Sequence, residues 1–204
     1  MGNEVALIDY GAGNLHSVEN ALRHVGAKVA VTAAPDAVRR ADRIVLPGVG
    51  AFAACADGLR ALPGMVEALE ERVLRDGVPF LGVCVGMQLL ADRGLEHGVH
   101  AGLGWIPGEV ARIEAAGGIR VPHMGWNDVR VHGSNAVVEG GEGYFLHSYH
   151  FRAEREEHVL ATTVHGDERV AAIGRDNLLG VQFHPEKSQT YGLDLLRRFL
   201  AWNP

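Results

Sequence analysis

The sequence predicts an α/β fold: an open, mostly parallel sheet covered by helices on both faces, with an additional antiparallel β layer or extension from the second half. Three observations carry this. Short, continuously apolar runs alternate with segments of helical period up to about residue 93, the pattern of strands buried on both faces. Beyond that point, short strand-like runs are separated by glycine-rich turns, as in antiparallel sheets. Glycine makes up 27 of the 204 residues without a collagen period, which implies many tight turns or close backbone approaches.

The elements follow in order. Val5–Ala6–Leu7–Ile8 reads as a first buried strand, closed by Gly11 and Gly13. Leu15, Val18, Leu22 and Val25 recur at three- and four-residue steps, one face of a helix with Asn14 as its N-cap and Gly26 just past its end. Val29–Ala30–Val31 is a second strand, Pro35 to Ala41 a short helix, and Ile44–Val45–Leu46 a third strand ended by Pro47–Gly48. Phe52 to Leu62 and Met65 to Leu74 are helical, broken at Pro63–Gly64. Phe80 to Val83 is a fourth strand, and a helix begins over Met87 to Ala91. In the second half, strands are expected at Ala111–Ile113, Arg120–Pro122, Asp128–Val131, Tyr144–Leu146, Val159–Thr162 and Val170–Ile173. Leu179 to Phe183 reads as a strand returning to the centre, and Leu193, Leu196, Phe199 and Leu200 as the core face of a final helix. No repeat and no linker divides the chain, so residues 1–204 are expected to form one domain.

Composition narrows the function classes. Lys and Arg total 19 against 25 Asp and Glu, so the basic excess of a nucleic-acid binder is lacking and no such partner is expected. Only two cysteines, Cys55 and Cys84, are present, too few for a disulfide framework and consistent with a reducing, cytoplasmic setting. The N-terminal apolar run lacks a basic flank, and no stretch approaches 18 apolar residues, so neither a signal peptide nor a membrane span is expected.

Gly82–Val83–Cys84–Val85–Gly86 has the form G-x-C-x-G between an apolar strand and a helical pattern. This is the context of a nucleophile elbow, with a thiol where hydrolases of that design place a serine. Glycine lets strand and helix approach closely, and the helix N-terminus turns N–H groups toward the thiol, favouring the reactive thiolate. The Val85 N–H would face an oxyanion formed at the attacked carbon. Cys55, inside a helical segment, reads instead as a buried structural thiol.

His184 and Glu186 flank Pro185 just after the last core strand. Extended residues two apart project to one side, and Pro185 biases His184 to the extended region. Glu186 can therefore hold one imidazole nitrogen while the other faces the thiol, giving nucleophile, base and orienter. Gly48–Val49–Gly50–Ala51–Phe52 could be misread as a dinucleotide fingerprint, but it follows the third strand and no clear ribose-binding acid follows it. It reads better as a backbone anion site, with the Gly50 N–H as second oxyanion donor. Nine of the 11 histidines follow residue 96, yet His147 and His150 point opposite ways in a strand and no HExxH or CxxC accompanies them. No metal site and no cofactor are expected.

With these residues in view, the chain resembles the class I, triad-type glutamine amidotransferases: Pro47–Gly48–Val49–Gly50, Gly82 to Gln88 and His184–Pro185–Glu186 carry the likeness. Asp9 to Leu15, Pro122 to Asn127 and His147–Ser148–Tyr149 are similar to the histidine-biosynthesis branch, the glutaminase subunits of imidazole glycerol phosphate synthases. The resemblance runs from residue 5 to about 202. It implies a flavodoxin-like sheet and hydrolysis of glutamine to glutamate and ammonia through Cys84, His184 and Glu186. It implies that Gln88 orients the glutamine and that Gly50, Ser148 and Tyr149 line the amino-acid end of the pocket. It further implies a heterodimer with a separate (β/α)₈-barrel cyclase, which takes the ammonia to make imidazole glycerol phosphate and an aminoimidazole carboxamide ribotide. Asn14, Trp126 and Lys187 match interface positions. The family couples glutaminase activity to ligands on the cyclase, and Val49, between two glycines, sits where a peptide flip would open or close the oxyanion hole. Three rivals are weaker: a glutaminase serving another synthase, a cysteine hydrolase with its acid before the histidine, and a non-catalytic regulatory subunit.

Overall fold

The computed structural model describes residues 4–115 and 118–204. Its first half alternates strand and helix: β1 (Glu4–Ile8), α1 (Leu15–His24), β2 (Lys28–Thr32), α2 (Pro35–Arg40), β3 (Arg43–Gly48), α3 (Phe52–Arg60), α4 (Met65–Leu69), β4 (Phe80–Cys84) and α5 (Val85–Gln88). The second half supplies β5 (Arg93–Gly94), β6 (His100–Ala101), β7 (Gly108–Arg112), β8 (His123–Val131), β9 (Gly141–His147), β10 (Tyr149–Ala153), β11 (Val159–His165), β12 (Asp167–Arg175), β13 (Leu178–Val181) and α6 (Gln189–Ala201). One sheet runs in the order β2-β1-β3-β4-β13-β12-β11-β8-β9. Its pairings are parallel from β2 to β13 and antiparallel from β13 to β9. A second, smaller sheet runs β10-β7-β5-β6 and contains one parallel pair, β5 with β7. The glycine-rich second half thus forms both an extension of the main sheet and a separate layer.

The apolar runs explain the parallel half. The central residues of β1, β3 and β4 are fully buried, as expected for strands covered on both faces. Right-handed crossovers place α1 on one face and α2 to α4 on the other; α1 packs beside α6 and α2 beside α4. α1 ends at Gly26, with φ +96°, where the N–H groups of Gly26 and Ala27 donate to Arg23 and Leu22. This is the glycine stop that the sequence suggests. At the other end Asn14 occupies the N-cap position but its side chain makes no capping bond; only its carbonyl takes part, accepting from Val18.

Three local expectations are corrected. The helix expected over Met87 to Ala91 starts earlier, at Val85, and stops after one turn at Gln88. Its continuation is blocked because the Leu89 and Leu90 carbonyls accept from Leu103, Trp105 and Ile106. Arg120–Val121–Pro122 is not a strand; the ladder begins at His123, since proline has no N–H to donate to a ladder. The helical run through Leu74 changes to a π-helical segment at Glu70–Arg75.

The turn from β4 into α5 fits because three glycines meet there. A Cβ on Gly48 would lie 2.6 Å from the Gly86 nitrogen, one on Gly82 would lie 2.6 Å from the Gly86 carbonyl, and one on Gly86 would fall on the Leu46 carbonyl. The obstacles are backbone atoms, which cannot rotate away. Gly86→Ala is therefore expected to destabilise the protein by roughly 3 kcal/mol or more, as overpacking with forced backbone movement does. A urea midpoint within error of the parent protein would refute this packing account.

Candidate active site

Cys84 ends β4 at φ 56° and ψ −112°, a conformation that costs a non-glycine residue of order 1–3 kcal/mol and is found where a site requires it. Gly48 pairs with Cys84 in the sheet register. The loop leaving β3 therefore runs beside the elbow, and Gly50 turns it at φ +90°. The Val49 carbonyl accepts from the Cys55 thiol at 3.3 Å, which directs the Gly50 N–H of the same planar peptide to the opposite side. Cys55 is itself fully buried in α3, and burial pushes its thiol pKa up.

β13 lies parallel to β4, so the chain leaving it delivers His184 to the same sheet edge as Cys84. His184 and Glu186 side chains are 3% and 2% exposed, and Nδ1 of the ring is 2.8 Å from Glu186 Oε1. The ring and Cys84 line the same cavity and interact electrostatically. Burial alone disfavours the imidazolium and is the largest single influence, but the hydrogen bonds and charges of Cys84 and Glu186 together raise the pKa of His184 to about 10. Glu186 Oε2 is buried with no hydrogen-bond partner among the described residues, while Oε1 makes the contact to the ring. The backbone is locked as well, since His184 N–H donates to the Tyr144 carbonyl at 2.9 Å. Ser188 Oγ donates to the His184 carbonyl at 2.7 Å and accepts from the Tyr144 N–H at 2.9 Å.

These groups open onto a cavity of about 160 Å³ lined by Val49, Gly50, Cys84, Val85, Gln88, Glu96, Leu146, His147, Ser148, Tyr149, His184 and Lys187. That is below the roughly 300–1,000 Å³ of drug-sized sites and suits one small metabolite. Gln88 Nε2 donates to the Tyr149 carbonyl and to Gln182 Oε1, both at 3.0 Å. Its own Oε1 is then the group left to offer a ligand. Of the residues singled out in the sequence, Glu186 stands behind His184, and Lys187 lies on the cavity wall with its ammonium 5.9 Å from the Tyr144 ring centroid. Asn14 and Trp126 are outside the cavity; Trp126 is 47% exposed on β8, in line with Met124 at 66%.

Sequence reasoning missed three wall or backing residues. Glu96, in the loop after β5, accepts from the Phe52 N–H at 2.8 Å and brings a carboxylate to the cavity. Nothing local marks it. Leu146 reaches the cavity through the register of β8 with β9. Gln182, fully buried, places Nε2 3.7 Å from Cys84 Sγ; its two-residue offset from His184 was the available signal. His147 and His150 do not share the strand expected of them: His147 ends β9 of the main sheet and His150 lies on β10 of the smaller one, the first bonding His123 and the second Arg169. Among the described residues no group of three or more His, Cys, Asp or Glu side chains is placed to hold a metal ion.

An elbow thiol and an acid-backed imidazole beside a small cavity, at the edge of a parallel sheet, define the class of a cysteine-dependent acyl-transfer site. The chain matches the family described as Glutamine amidotransferase class-I over residues 6–202. It is 60% identical to the imidazole glycerol phosphate synthase subunit HisH of Zymomonas mobilis over 98% of this chain and 96% of that one. It is 52% identical to the HisH subunit of Rhodospirillum rubrum over 98% and 99%. The chain belongs to the class I glutamine amidotransferases, in the family of the HisH subunits. A solved structure titled as a glutamine amidotransferase superposes with TM-score 0.76 at 24% identity, covering 98% of both chains, which speaks for the fold alone.

Proposed function

We propose that this chain is the glutaminase subunit of an imidazole glycerol phosphate synthase and that Cys84, His184 and Glu186 are its catalytic triad. The observation that carries this is that the elbow thiol of Cys84 and the Glu186-bonded ring of His184 line the same small cavity. The Cys84 thiolate attacks the side-chain amide carbon of glutamine. The oxyanion is received by the N–H groups of Val85 and Gly50. The protonated His184 gives its proton to the departing ammonia as the C–N bond breaks, leaving a thioester on Cys84. His184 then draws a proton from water as the water attacks the thioester carbon; the C–S bond breaks, glutamate is released, and the thiolate and protonated ring are restored. Gln88, Ser148 and Tyr149 bind the substrate, and Glu96 supplies a carboxylate for its α-ammonium group. Val49 is the hinge of the oxyanion loop.

The ammonia passes to a separate barrel cyclase subunit, and the assembled heterodimer works in histidine biosynthesis in the cytoplasm. Supporting this docking face, Met124, Trp126 and Leu146 are exposed and neighbouring across β8 and β9, near the cavity mouth, with Lys187 and Asn14 as further contacts. Among the described residues no helix is long and apolar enough to cross a membrane.

His184→Asn and Glu186→Gln separate the roles. Removal of the proton carrier is expected to cost roughly 10⁴-fold or more in kcat, and removal of the orienter about tenfold to hundredfold less, as in other triads. Glutamate release by the complex with its cyclase measures both. Equal residual rates would remove the assignment of Glu186 as orienter, and failure of the wild-type complex to release glutamate would remove the reading as a whole.

A further inference from the structure

One backbone carbonyl dictates the direction of every hydrogen bond between β8 and the Cys84 sulfur. The Tyr149 carbonyl can only accept. Gln88 Nε2 lies 3.0 Å from it, so the amide nitrogen faces it. The same nitrogen is 3.0 Å from Gln182 Oε1. A reversed Gln182 would set donor against donor there, so its own Nε2 is the atom at 3.7 Å from Cys84 Sγ. On the other side His147 Nδ1 lies 2.8 Å from the Tyr149 carbonyl and must carry its proton. Its Nε2 therefore accepts from His123 Nδ1 at 3.0 Å, and His123 Nε2 accepts from Asn127 Nδ2 at 3.0 Å. His123, His147, Gln88 and Gln182 are all buried, where misdirected polar groups are costly.

We propose that Gln182 is a further catalytic residue: its side-chain N–H donates to the Cys84 sulfur and holds the thiolate. Its orientation is set through Gln88 by the Tyr149 carbonyl, for which His147 and His123 are positioning residues. This rests on the glutaminase reading and deepens it. The sulfur accepts from Gln182 Nε2–H on one side and shares the cavity wall with the His184 ring. The side chain also explains why a residue with no exposure at the end of a core strand is an amide and not the aliphatic group that packing alone would select.

The test compares wild type with Gln182→Leu, which removes the donor without adding charge, and Gln182→Glu, which replaces it by an acceptor. Alkylation of Cys84 by iodoacetamide is followed against pH, with Cys84→Ala as the blank for Cys55. His184, Tyr10 and Cys55, the other titratable groups coupled to the sulfur, stay constant across the series. Both variants are expected to alkylate about tenfold more slowly near neutrality, with the profile displaced upward. kcat for glutamine hydrolysis should fall roughly tenfold to hundredfold while KM changes little, the pattern of a group acting in the transition state. A Gln182→Leu profile superimposable on wild type overturns the proposal. Should the variants not fold, the side-chain amide protons of Gln182 in the wild-type protein are followed by NMR as Cys84 is alkylated. A shift supports the contact, and unchanged resonances overturn it. A wild type without glutaminase activity whose alkylation profile still moves in the variants would sink the functional reading and leave the contact to the sulfur standing.

Discussion

A Cys84→Ala protein is expected to fold, to bind the cyclase and to lose glutamine hydrolysis by at least about 10⁴-fold, the scale of nucleophile removal in enzymes of this logic. Folding should survive because alanine meets the same strain as cysteine at φ 56° and only one sulfur atom leaves the wall of an existing cavity. The loss should be confined to the amide reaction. The complex should still make its cyclase product from supplied ammonium, since that route bypasses the thioester. The assay therefore has two arms, glutamine-driven and ammonium-driven turnover, run on the same preparation. Glutamine-driven turnover that survives the substitution would mean that the sulfur is not the nucleophile. Loss of both arms would mean that the residue supports the assembly and not the chemistry.

The second large effect concerns acid. Burial is the main influence that depresses three rings, with like charge nearby adding to it: His123 to about 4, His147 to about 3 and His150 to about 4, against the ordinary 6.5. The sign follows directly. Below pH 6.5 the unfolded chain takes up protons on these rings and the native protein does not, so stability is complete above that value and is lost as pH falls toward 4. Each ring contributes up to about 1.4 kcal/mol per pH unit, roughly 4 kcal/mol per unit for the three together. Against a total of about 5–15 kcal/mol for a typical domain, a steep loss of stability between pH 6.5 and about 4 is expected. His184 acts the other way: with its pKa raised to about 10, the stability it brings is full below 6.5 and is lost as pH climbs to that value. Urea midpoints across pH 4.5 to 10 should therefore trace a dome peaking near neutrality. A flat acid limb would show that the three rings are already charged in the native protein.

The acid sensitivity and the proposed role of Gln182 share one origin, the buried chain from Asn127 to Cys84. His123 and His147 can carry directed hydrogen bonds only while neutral. The groups that set donors and acceptors behind the cavity are thus the same ones that make the fold intolerant of low pH.

Much of the architecture was legible because its determinants are local. Continuous apolar runs at Val5–Ile8 and Ile44–Leu46 mark strands buried on both faces, and the period of Leu15, Val18 and Leu22 marks a helix face. The elbow was legible for the same reason. Gly82, Gly86 and Gly48 are small because backbone occupies the space a side chain would need, and that demand is written as spaced glycines. The pairing of Glu186 with His184 was legible in their two-residue offset, but the extended chain expected there is a 3₁₀ turn at Pro185–Lys187, and it is this turn that brings Oε1 to Nδ1. The stop of α5 at Gln88 was not legible, because the groups that end it are the N–H groups of Leu103, Trp105 and Ile106.

By itself the sequence determined that this is a sheet with a doubly covered parallel core, a thiol at a sharp strand-to-helix turn and an imidazole–carboxylate pair two residues apart. Each of these is encoded within a few neighbouring residues by periodicity, steric room or backbone restriction. Only the tertiary structure decided that Glu96 stands on the cavity wall, that His123 lies against His147, and that the Gln182 amide turns its nitrogen to Cys84. Those arrangements depend on strand register and on burial between segments far apart in the chain, where the need to satisfy each polar group selects a single orientation, and no local pattern records that choice.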